Sequence, residues 1–312
     1  MDIDLTCKTS GFSESKLTRK HTAKRRAKRV RKANIGLFYL EAYLNSISLE
    51  PVYSSVLEGI QRFCQNYNHQ FQVLVVSDKL NGSTDTVQSL LKEFNGVVLI
   101  GEIPSAMINH IEKHNIPSVH FGSSSHYAAN SSFVTPDNFE GAYLAVKHLV
   151  SLGHKRIAYI SNNRKKVSFI ERMRGYVAAM IDSKVKLREE YYKYGGEDNH
   201  NNLEMFETFL AMKEPPTALF CANDEIAFSI LKYCAEEKIQ VPQQLSVVGF
   251  DDTSFAEYSV PALTTVRQPM VQAGWVAAIE LIESISNPDY IPRKVVLKTE
   301  LIVRSSTGEC IK

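Results

Sequence analysis

The fold of this chain of 312 residues is decided by residues 215–252, PPTALFCANDEIAFSILKYCAEEKIQVPQQLSVVGFDD. Two short apolar runs here end in amide or carboxylate residues, in CAND at 221–224 and in GFDD at 249–252. The segment between them has the length and the apolar spacing of a helix. Strands that are apolar on both faces and are joined by a helix are typical of a parallel sheet covered on both sides.

The same alternation extends over most of the chain. It predicts strands at 34–40, 71–78, 96–103, 118–122 and 156–161, and helices at 52–67, 83–94, 106–115, 138–153, 171–182, 225–238 and 270–285. Gly153 is placed to end the helix that precedes it. About a dozen such elements exceed one sheet, so we predict an α/β protein with two doubly wound lobes.

Polar residues gather where the predicted strands end. In open α/β sheets, ligands bind outside the carboxyl ends of the strands, and polar groups at this edge suit a small ligand rich in hydroxyls. Asn and Asp also cap helices and form turns, so each motif alone is explained equally well by local structure. Arg172 and Arg174 in ERMRGY are suited to hydroxyls or carboxylates, although exposed arginines are common.

Positive charge is concentrated at the N-terminus. Residues 1–33 hold 11 Lys and Arg against 3 Asp and Glu, a net charge of +8, whereas the remainder holds 25 against 31, a net charge of −6. Such a segment is typical of an arm that contacts nucleic-acid phosphate. A solubilising tail is the alternative interpretation.

Export and membrane insertion are disfavoured. The apolar run after the basic segment ends at Glu41 and is shorter than a signal peptide requires, and no stretch approaches a membrane span. Five cysteines without paired spacing indicate reduced thiols. We therefore expect a cytoplasmic protein that does not contact a membrane.

Four segments together resemble one protein family. Residues 215–269, with DNFEGAYLAVKHLVSLGHKRIAYI (137–160), ERMRGY (171–176) and LKTELIVRSST (297–307), closely resemble the effector-binding domain of the lactose-repressor/galactose-repressor (LacI/GalR) family of bacterial transcription regulators. The resemblance covers about residues 34–308, with the motifs in the family's order and spacing.

This resemblance implies the periplasmic-binding-protein-like fold, with two doubly wound parallel-sheet lobes joined by three crossovers. It places lobe 1 at about 34–154 and 268–290, and lobe 2 at about 155–267 and 291–308. It also implies a homodimer.

The resemblance further implies an effector site. Its expected contacts are Asp137, Arg172, Asn223, Asp251 and Gln268, with Phe38 and Phe220 as walls of the pocket. Asp224 is expected to cap the helix that follows it. The effector class implied is a small sugar or a related metabolite.

The N-terminal segment departs from the family, whose members open with a helix-turn-helix headpiece. Nothing in residues 1–33 resembles that motif, so we expect a truncated, missing or replaced headpiece. AKRVR (27–31) loosely matches the family's hinge helix, with Val30 as the minor-groove wedge. The expected DNA contacts are Lys24, Arg25, Arg26, Lys28, Arg29, Val30 and Arg31.

Catalytic and metal-binding motifs are weak. HIEKH (110–114) lacks the Glu that a zinc protease places beside its first His, and FGSSSHY (121–127) supplies no nucleophile elbow. We expect no enzyme activity, no cofactor and no metal. The favoured function is a ligand-responsive, DNA-binding transcriptional regulator, most simply a repressor. The alternative is a sugar-binding module, or a regulator remnant, without sequence-specific DNA binding.

Overall fold

A computed structural model describes residues 32–40, 49–76, 89, 91–101, 103–122, 130–163, 166–194 and 202–311. The strands are β1 (Asn34–Leu40), β2 (Gln70–Val76), β3 (Gly96–Ile100), β4 (Ser118–Phe121), β5 (Ser132–Pro136), β6 (Ile157–Ser161), β7 (Tyr192–Tyr194), β8 (Ala218–Cys221), β9 (Ser246–Val248), β10 (Thr265–Arg267), β11 (Lys294–Leu297) and β12 (Glu300–Ile302). The helices are α1 (Leu49–Tyr67), α2 (Ser105–Lys113), α3 (Asn138–Ser151), α4 (Val167–Asp182), α5 (Asn202–Leu210), α6 (Asp224–Glu236), α7 (Phe255–Tyr258) and α8 (Met270–Ser286).

Lobe 1 is built on a six-stranded parallel sheet in the order β11-β5-β4-β3-β1-β2. Alternate residues of β3 point to opposite faces, so Val98 joins the core under α1 and α8 whereas Leu99 joins the core that includes residues of α2. The sheet is therefore covered on both faces, as its continuous apolar strands predict.

Lobe 2 is built on a four-stranded parallel sheet in the order β7-β6-β8-β9. Every residue of β6 and β8 is buried, and helices α3 to α6 contribute to a single core around them. β10 and β12 form an antiparallel pair that joins β9 through the bridge between Val248 and Thr264.

The chain passes between the lobes three times, after β5, after β10 and after β11. The first and third crossovers are bonded to each other. The Asp137 backbone N–H donates to the Leu297 carbonyl at 2.8 Å, and the Thr299 hydroxyl donates to the Asp137 carbonyl at 3.3 Å. Two crossovers thus run together as one hydrogen-bonded ribbon.

Two segments lie in a different lobe from the one expected. Helix α3, expected in lobe 1, packs on α4 because Gly175 lets the two backbones approach: a Cβ there would lie 2.3 Å from the Phe139 carbonyl oxygen. Strand β11, expected in lobe 2, is parallel to β5, with Val295 opposite Val134. Lobe 1 therefore gains β11 and loses α3.

None of the helices that the structure describes combines the length and the apolar character needed to cross a membrane. The four cysteines in the described ranges are free thiols, and Cys64 and Cys221 are buried as small apolar residues. Gly153 adopts the left-handed conformation, with φ of 89°, directly after α3, as expected for the glycine that ends a helix.

Candidate functional site

The expected site residues of lobe 2 lie at the carboxyl ends of its strands, facing the crossovers. Asn223 follows β8, Asp251 follows β9, and Asp137 begins α3 at the first crossover. Gln268 lies on the second crossover, between β10 and α8. The topology thus brings residues from distant parts of the chain to one edge of the sheet, where α/β proteins bind ligands.

Arg172 is the centre of this edge. It projects from α4 and is only 4% exposed. Its Nε donates to Asn138 Oδ1 at 2.9 Å, its Nη1 donates to the Ala222 carbonyl, and its Nη2 lies 3.2 Å from Asp251 Oδ1. The guanidinium carbon lies 3.7 Å from the centroid of the Phe250 ring. Each of its three nitrogens contacts the protein, so the orientation of the guanidinium is fixed.

Asp251 receives its side-chain hydrogen bonds on one oxygen. Besides Arg172, the Gln268 amide donates to Oδ1 at 2.5 Å. Within the part of the chain that the structure describes, no hydrogen bond reaches Oδ2, which leaves that oxygen able to accept from a ligand hydroxyl. Burial raises the pKa of the Asp251 carboxyl, and the neighbouring Arg172 guanidinium opposes that shift.

The turn that presents Asp251 is strained. Asp251 has φ of 121° and Asp252 has φ of 51°, both in regions that residues other than glycine seldom occupy. The Asp252 carboxylate lies between two guanidinium groups, 2.6 Å from Arg267 and 2.7 Å from Arg304. The Asp251 backbone N–H also donates to the Val266 carbonyl at 2.9 Å. These contacts hold the turn in a conformation that it would not adopt alone.

Asn223, not Asp224, caps α6, which corrects the expectation for Asp224. Asn223 Oδ1 accepts from the Ile226 backbone N–H at 3.1 Å. The buried Asp224 carboxyl instead accepts from the Thr265 hydroxyl at 2.5 Å and from the Thr253 backbone N–H at 2.8 Å. Asp224 thus joins the strained turn to β10. Burial, reinforced by the Asp251 charge, raises the pKa of Asp224 to about 8.

Asp137 caps a helix and can also accept a hydrogen bond from a ligand. Its Oδ1 accepts from the Glu140 backbone N–H at 2.9 Å and so caps α3. The residue is partly exposed and lies at the ribbon of the first and third crossovers. A carboxylate that already accepts one bond retains capacity for a ligand hydroxyl.

Phe38 and Phe220 do not line the site, which corrects the expectation that they form pocket walls. Both are fully buried. Phe38 packs edge-to-face on Phe94, with centroids 5.9 Å apart, in the core of lobe 1. Phe220 packs against Tyr159, with centroids 5.6 Å apart, in the core of lobe 2.

Asn138 and Phe250 belong to the site, although the motifs did not single them out. Each directly adjoins an expected residue, Asn138 after Asp137 and Phe250 before Asp251. Asn138 positions Arg172, and it also lies 3.4 Å from Glu171 Oε2. Arginine needs several acceptors when it is buried, and that requirement is the signal that could have identified the Asn beside the Asp.

Other expectations concern nucleic acid and metal ions. The expected DNA contacts, Lys24, Arg25, Arg26, Lys28, Arg29, Val30 and Arg31, lie outside the described residues. Among the residues that the structure describes, no three His, Cys, Asp or Glu side chains are grouped as a metal site. The rings of His110 and His114 lie 4.2 Å apart between centroids and are tilted by 34°.

Comparison with known proteins establishes the family. Residues 146–307 match the model of the periplasmic binding protein-like domain. The chain is 30% identical over 275 residues to the probable HTH-type transcriptional repressor ExuR of Bacillus subtilis (strain 168), covering 87% of this chain and 80% of that protein. The chain belongs to the LacI/GalR family of transcriptional regulators.

Solved structures agree with this fold. A complex of the transcriptional regulator CelR with cellobiose is 24% identical, has a TM-score of 0.76, and matches over 92% of this chain and 89% of that one. A LacI family transcriptional regulator from Enterococcus faecium with bound ribose is 22% identical, has a TM-score of 0.74, and matches over 88% of this chain and 98% of that one. These likenesses show that this LacI/GalR-family protein shares the two-lobed fold of those regulators.

Proposed function

We propose that this LacI/GalR-family protein is a cytoplasmic repressor that binds a small sugar-like effector between its lobes and binds DNA through its basic N-terminal arm. The observation that carries the effector site is the contact among Arg172, Asp251 and Gln268, which joins a buried guanidinium, a carboxylate and an amide at a crossover. These groups offer the donors and acceptors that fix hydroxyl groups in space.

The hydrogen-bonding groups of the site support a sugar as the ligand. Asp251 has an oxygen available to accept, and the guanidinium of Arg172 is held rigidly beside it. Asp137 is partly exposed. The relatives with bound cellobiose and ribose also favour a carbohydrate. The site holds its ligand by hydrogen bonds, and the proposal includes no covalent step, cofactor or metal.

Closure of the lobes transmits the binding event. An effector that contacts Asp251 also alters the environment of Gln268, which lies on the crossover into lobe 1. Lys294 of lobe 1 lies 3.8 Å from Glu171 of lobe 2, so the described conformation has a direct ionic contact between the lobes. A ligand with greater affinity for one arrangement shifts the population toward it. In a homodimer the shift moves two arms together.

DNA binding by the arm is an electrostatic proposal. The proposed contacts are six charged residues and the apolar Val30, namely Lys24, Arg25, Arg26, Lys28, Arg29, Val30 and Arg31. Phosphate contacts position a protein on DNA but read little sequence, and they weaken steeply with salt because bound counterions are released. Specific repression therefore requires sequence information from the wedge at Val30 or from a headpiece.

The test measures ligand and DNA separately on the full chain. Thermal denaturation with D-ribose or cellobiose reports effector binding through stabilisation of the folded state. Binding to the DNA upstream of its own gene and to scrambled DNA, at about 50 and about 200 mM salt, reports specificity. Replacing the six Lys and Arg of residues 24–31 by Gln provides the control of equal length. Equal binding to both DNAs in the parent chain would favour the alternative, a ligand sensor without sequence-specific DNA binding.

A further inference from the structure

The last residue of the basic arm, Ala33, is bonded to a histidine. Helix α1 ends at Tyr67, Asn68 adopts a left-handed φ of 58°, and His69 follows before β2 begins. His69 Nδ1 accepts a hydrogen bond from the Ala33 backbone N–H at 3.3 Å. Ala33 is the last residue of the basic arm, so His69 lies where the arm meets the effector-binding domain.

The other ring nitrogen of His69 is unusual. Because Nδ1 accepts from Ala33, the neutral ring carries its proton on Nε2. Nε2 is buried and has no hydrogen-bond partner in the described part of the chain. A buried donor without a partner is destabilising, and burial lowers the pKa of the ring, which keeps it neutral. The His69 ring thus accepts from the Ala33 N–H through one nitrogen and carries an unpartnered donor on the other.

An aromatic cluster holds the His69 ring. Phe63 stacks on it with an interplanar angle of 6° and a centroid distance of 5.9 Å. Trp275 of α8 meets Phe63 edge-on at 5.4 Å and Tyr67 at 6.1 Å. These four residues form the arm-base cluster, His69, Phe63, Tyr67 and Trp275. It contains the only tryptophan of the chain.

The two helices that carry this cluster are locked together. A Cβ at Gly59 of α1 would lie 2.0 Å from the Val271 carbonyl oxygen of α8, and a Cβ at Gly274 would lie 2.0 Å from the Val56 carbonyl oxygen of α1. The reciprocal glycines place backbone against backbone with no side chain between. Helices in such contact move as one body because close-packed groups transmit displacement.

Helix α8 begins at the effector site. Gln268, which donates to Asp251, lies two residues before the first residue of α8. The Met270 backbone N–H donates to the Gln268 carbonyl at 2.9 Å. A continuous series of contacts thus runs from Asp251 through α8 to the arm-base cluster and on to Ala33.

We propose that His69 is a positioning residue that couples the basic arm to the effector site through Trp275 and the α1–α8 pair. The inference rests on the proposed binding of DNA by the arm. Coupling is reciprocal, so DNA bound at the arm alters the surroundings of Trp275 just as an effector alters the arm.

The experiment measures the fluorescence emission of Trp275, the single tryptophan of the full chain. The chain is titrated with a random double-stranded DNA of about 30 base pairs at about 50 mM salt. DNA affinity is measured in parallel by the anisotropy of labelled DNA. In the parent chain, DNA binding shifts Trp275 emission. His69→Phe keeps a stacking ring but removes the acceptor for the Ala33 N–H, so the emission response to DNA is lost. DNA affinity changes less than about threefold, because phosphate contacts supply that affinity. His69→Asn restores an acceptor and with it the response.

Asn95→Ala is the matched control. Asn95 Oδ1 accepts from the adjacent Asn34 backbone N–H at 2.7 Å but has no part in the cluster, so this variant loosens the same strand end and retains the emission response. A full response in His69→Phe, or an unresponsive parent chain that binds DNA, would overturn the proposal.

Failure of the proposed DNA function has a separate signature. If the parent chain binds no DNA at low salt, hydrogen exchange still decides the role of His69. Exchange at the Ala33 amide at least about tenfold faster in His69→Phe than in His69→Asn supports positioning of the arm base, because exchange reports local opening. Equal rates in the two variants contradict it. Circular dichroism confirms that each variant is folded.

Discussion

Arg172 and Asp251 form an ion pair of 3.2 Å between α4 and the turn after β9, and each side chain is less than a tenth exposed. Ion pairs at such depth are costly unless further hydrogen bonds complete them. Here Asn138, Ala222 and Gln268 supply those bonds. The pair therefore fixes the geometry of the proposed effector site without a ligand.

Replacing Arg172 is expected to abolish effector binding and to destabilise the fold. Arg172→Ala leaves the Asp251 carboxylate buried without its counter-ion, a change that typically costs about 3–5 kcal/mol. Urea denaturation and thermal shifts with D-ribose or cellobiose measure the two effects. The matched control is Arg174→Ala, two residues further along α4 and exposed. Normal effector binding by Arg172→Ala would refute the assigned site.

Gln268 is expected to affect both the effector response and stability. Gln268→Leu removes one donor to Asp251 and interrupts the contact that leads into α8, at a stability cost of about 1.5–3 kcal/mol for a hydrogen bond to a charged group. We expect roughly tenfold weaker ligand binding, since about 1.4 kcal/mol is a factor of ten. Isothermal titration calorimetry, with the sugar that stabilises the parent chain, measures the change in affinity. Gln243→Leu, at an exposed site, should match the parent.

Asp224 is expected to make stability depend on pH. Burial raises its pKa to about 8, whereas the unfolded chain has an ordinary Asp pKa near 4. A group whose pKa is raised by folding stabilises the protein fully below the unfolded pKa, and that contribution is lost as pH rises through the folded pKa. The free energy of unfolding attributable to Asp224 therefore falls between about pH 4 and about pH 8.

Asp224→Asn removes this titration and keeps a polar side chain of the same shape. Its free energy of unfolding, measured by urea denaturation across the same pH range, should decline less steeply than that of the parent chain. The exposed Asp289→Asn serves as the control and should retain the parent slope. Parallel slopes for the parent and Asp224→Asn would show that Asp224 titrates normally.

The backbone contact between α1 and α8 is expected to tolerate no side chain. Gly274→Ala places a methyl group 2.0 Å from the Val56 carbonyl oxygen, so the helices must separate, at a cost of about 1–3 kcal/mol for overpacking. The higher helix propensity of alanine offsets this by only about 1 kcal/mol. Thermal denaturation should show a lower Tm for Gly274→Ala than for the parent chain. Gln272 is exposed on the same helix, and Gln272→Ala should keep the Tm of the parent chain.

The sequence predicted the strands that read as continuous apolar runs, among them the edge strand β2, but it did not predict β5, β7, β10, β11 or β12. β1 was predicted over 34–40 and lies at Asn34–Leu40, because a strand covered on both faces reads as a continuous apolar run. β11 was missed because only one of its faces is partly buried and its sequence begins with Lys294. A short, half-exposed strand has little apolar patterning in its sequence. The lobe of β11 is set by its pairing with β5, and composition does not show that pairing.

The polar and the apolar residues of the candidate site differ in what the sequence could predict. Gln268 was expected near the crossover between the lobes, and it lies there in contact with Asp251. Phe38 and Phe220 have the same apolar character whether they face a cleft or a core, and only the packing of helices over them decides which. Packing also explains why α3 was placed in the wrong lobe. The contact between α3 and α4 depends on Gly175 of α4, and the sequence of α3 alone does not show it.

The ribbon formed by the first and third crossovers has a mechanical consequence. Because the Asp137 and Leu297 backbones are bonded at 2.8 Å and Thr299 adds a second bond, these two strands cannot shear past each other without breaking both contacts. The two bonded crossovers therefore move together when the angle between the lobes changes.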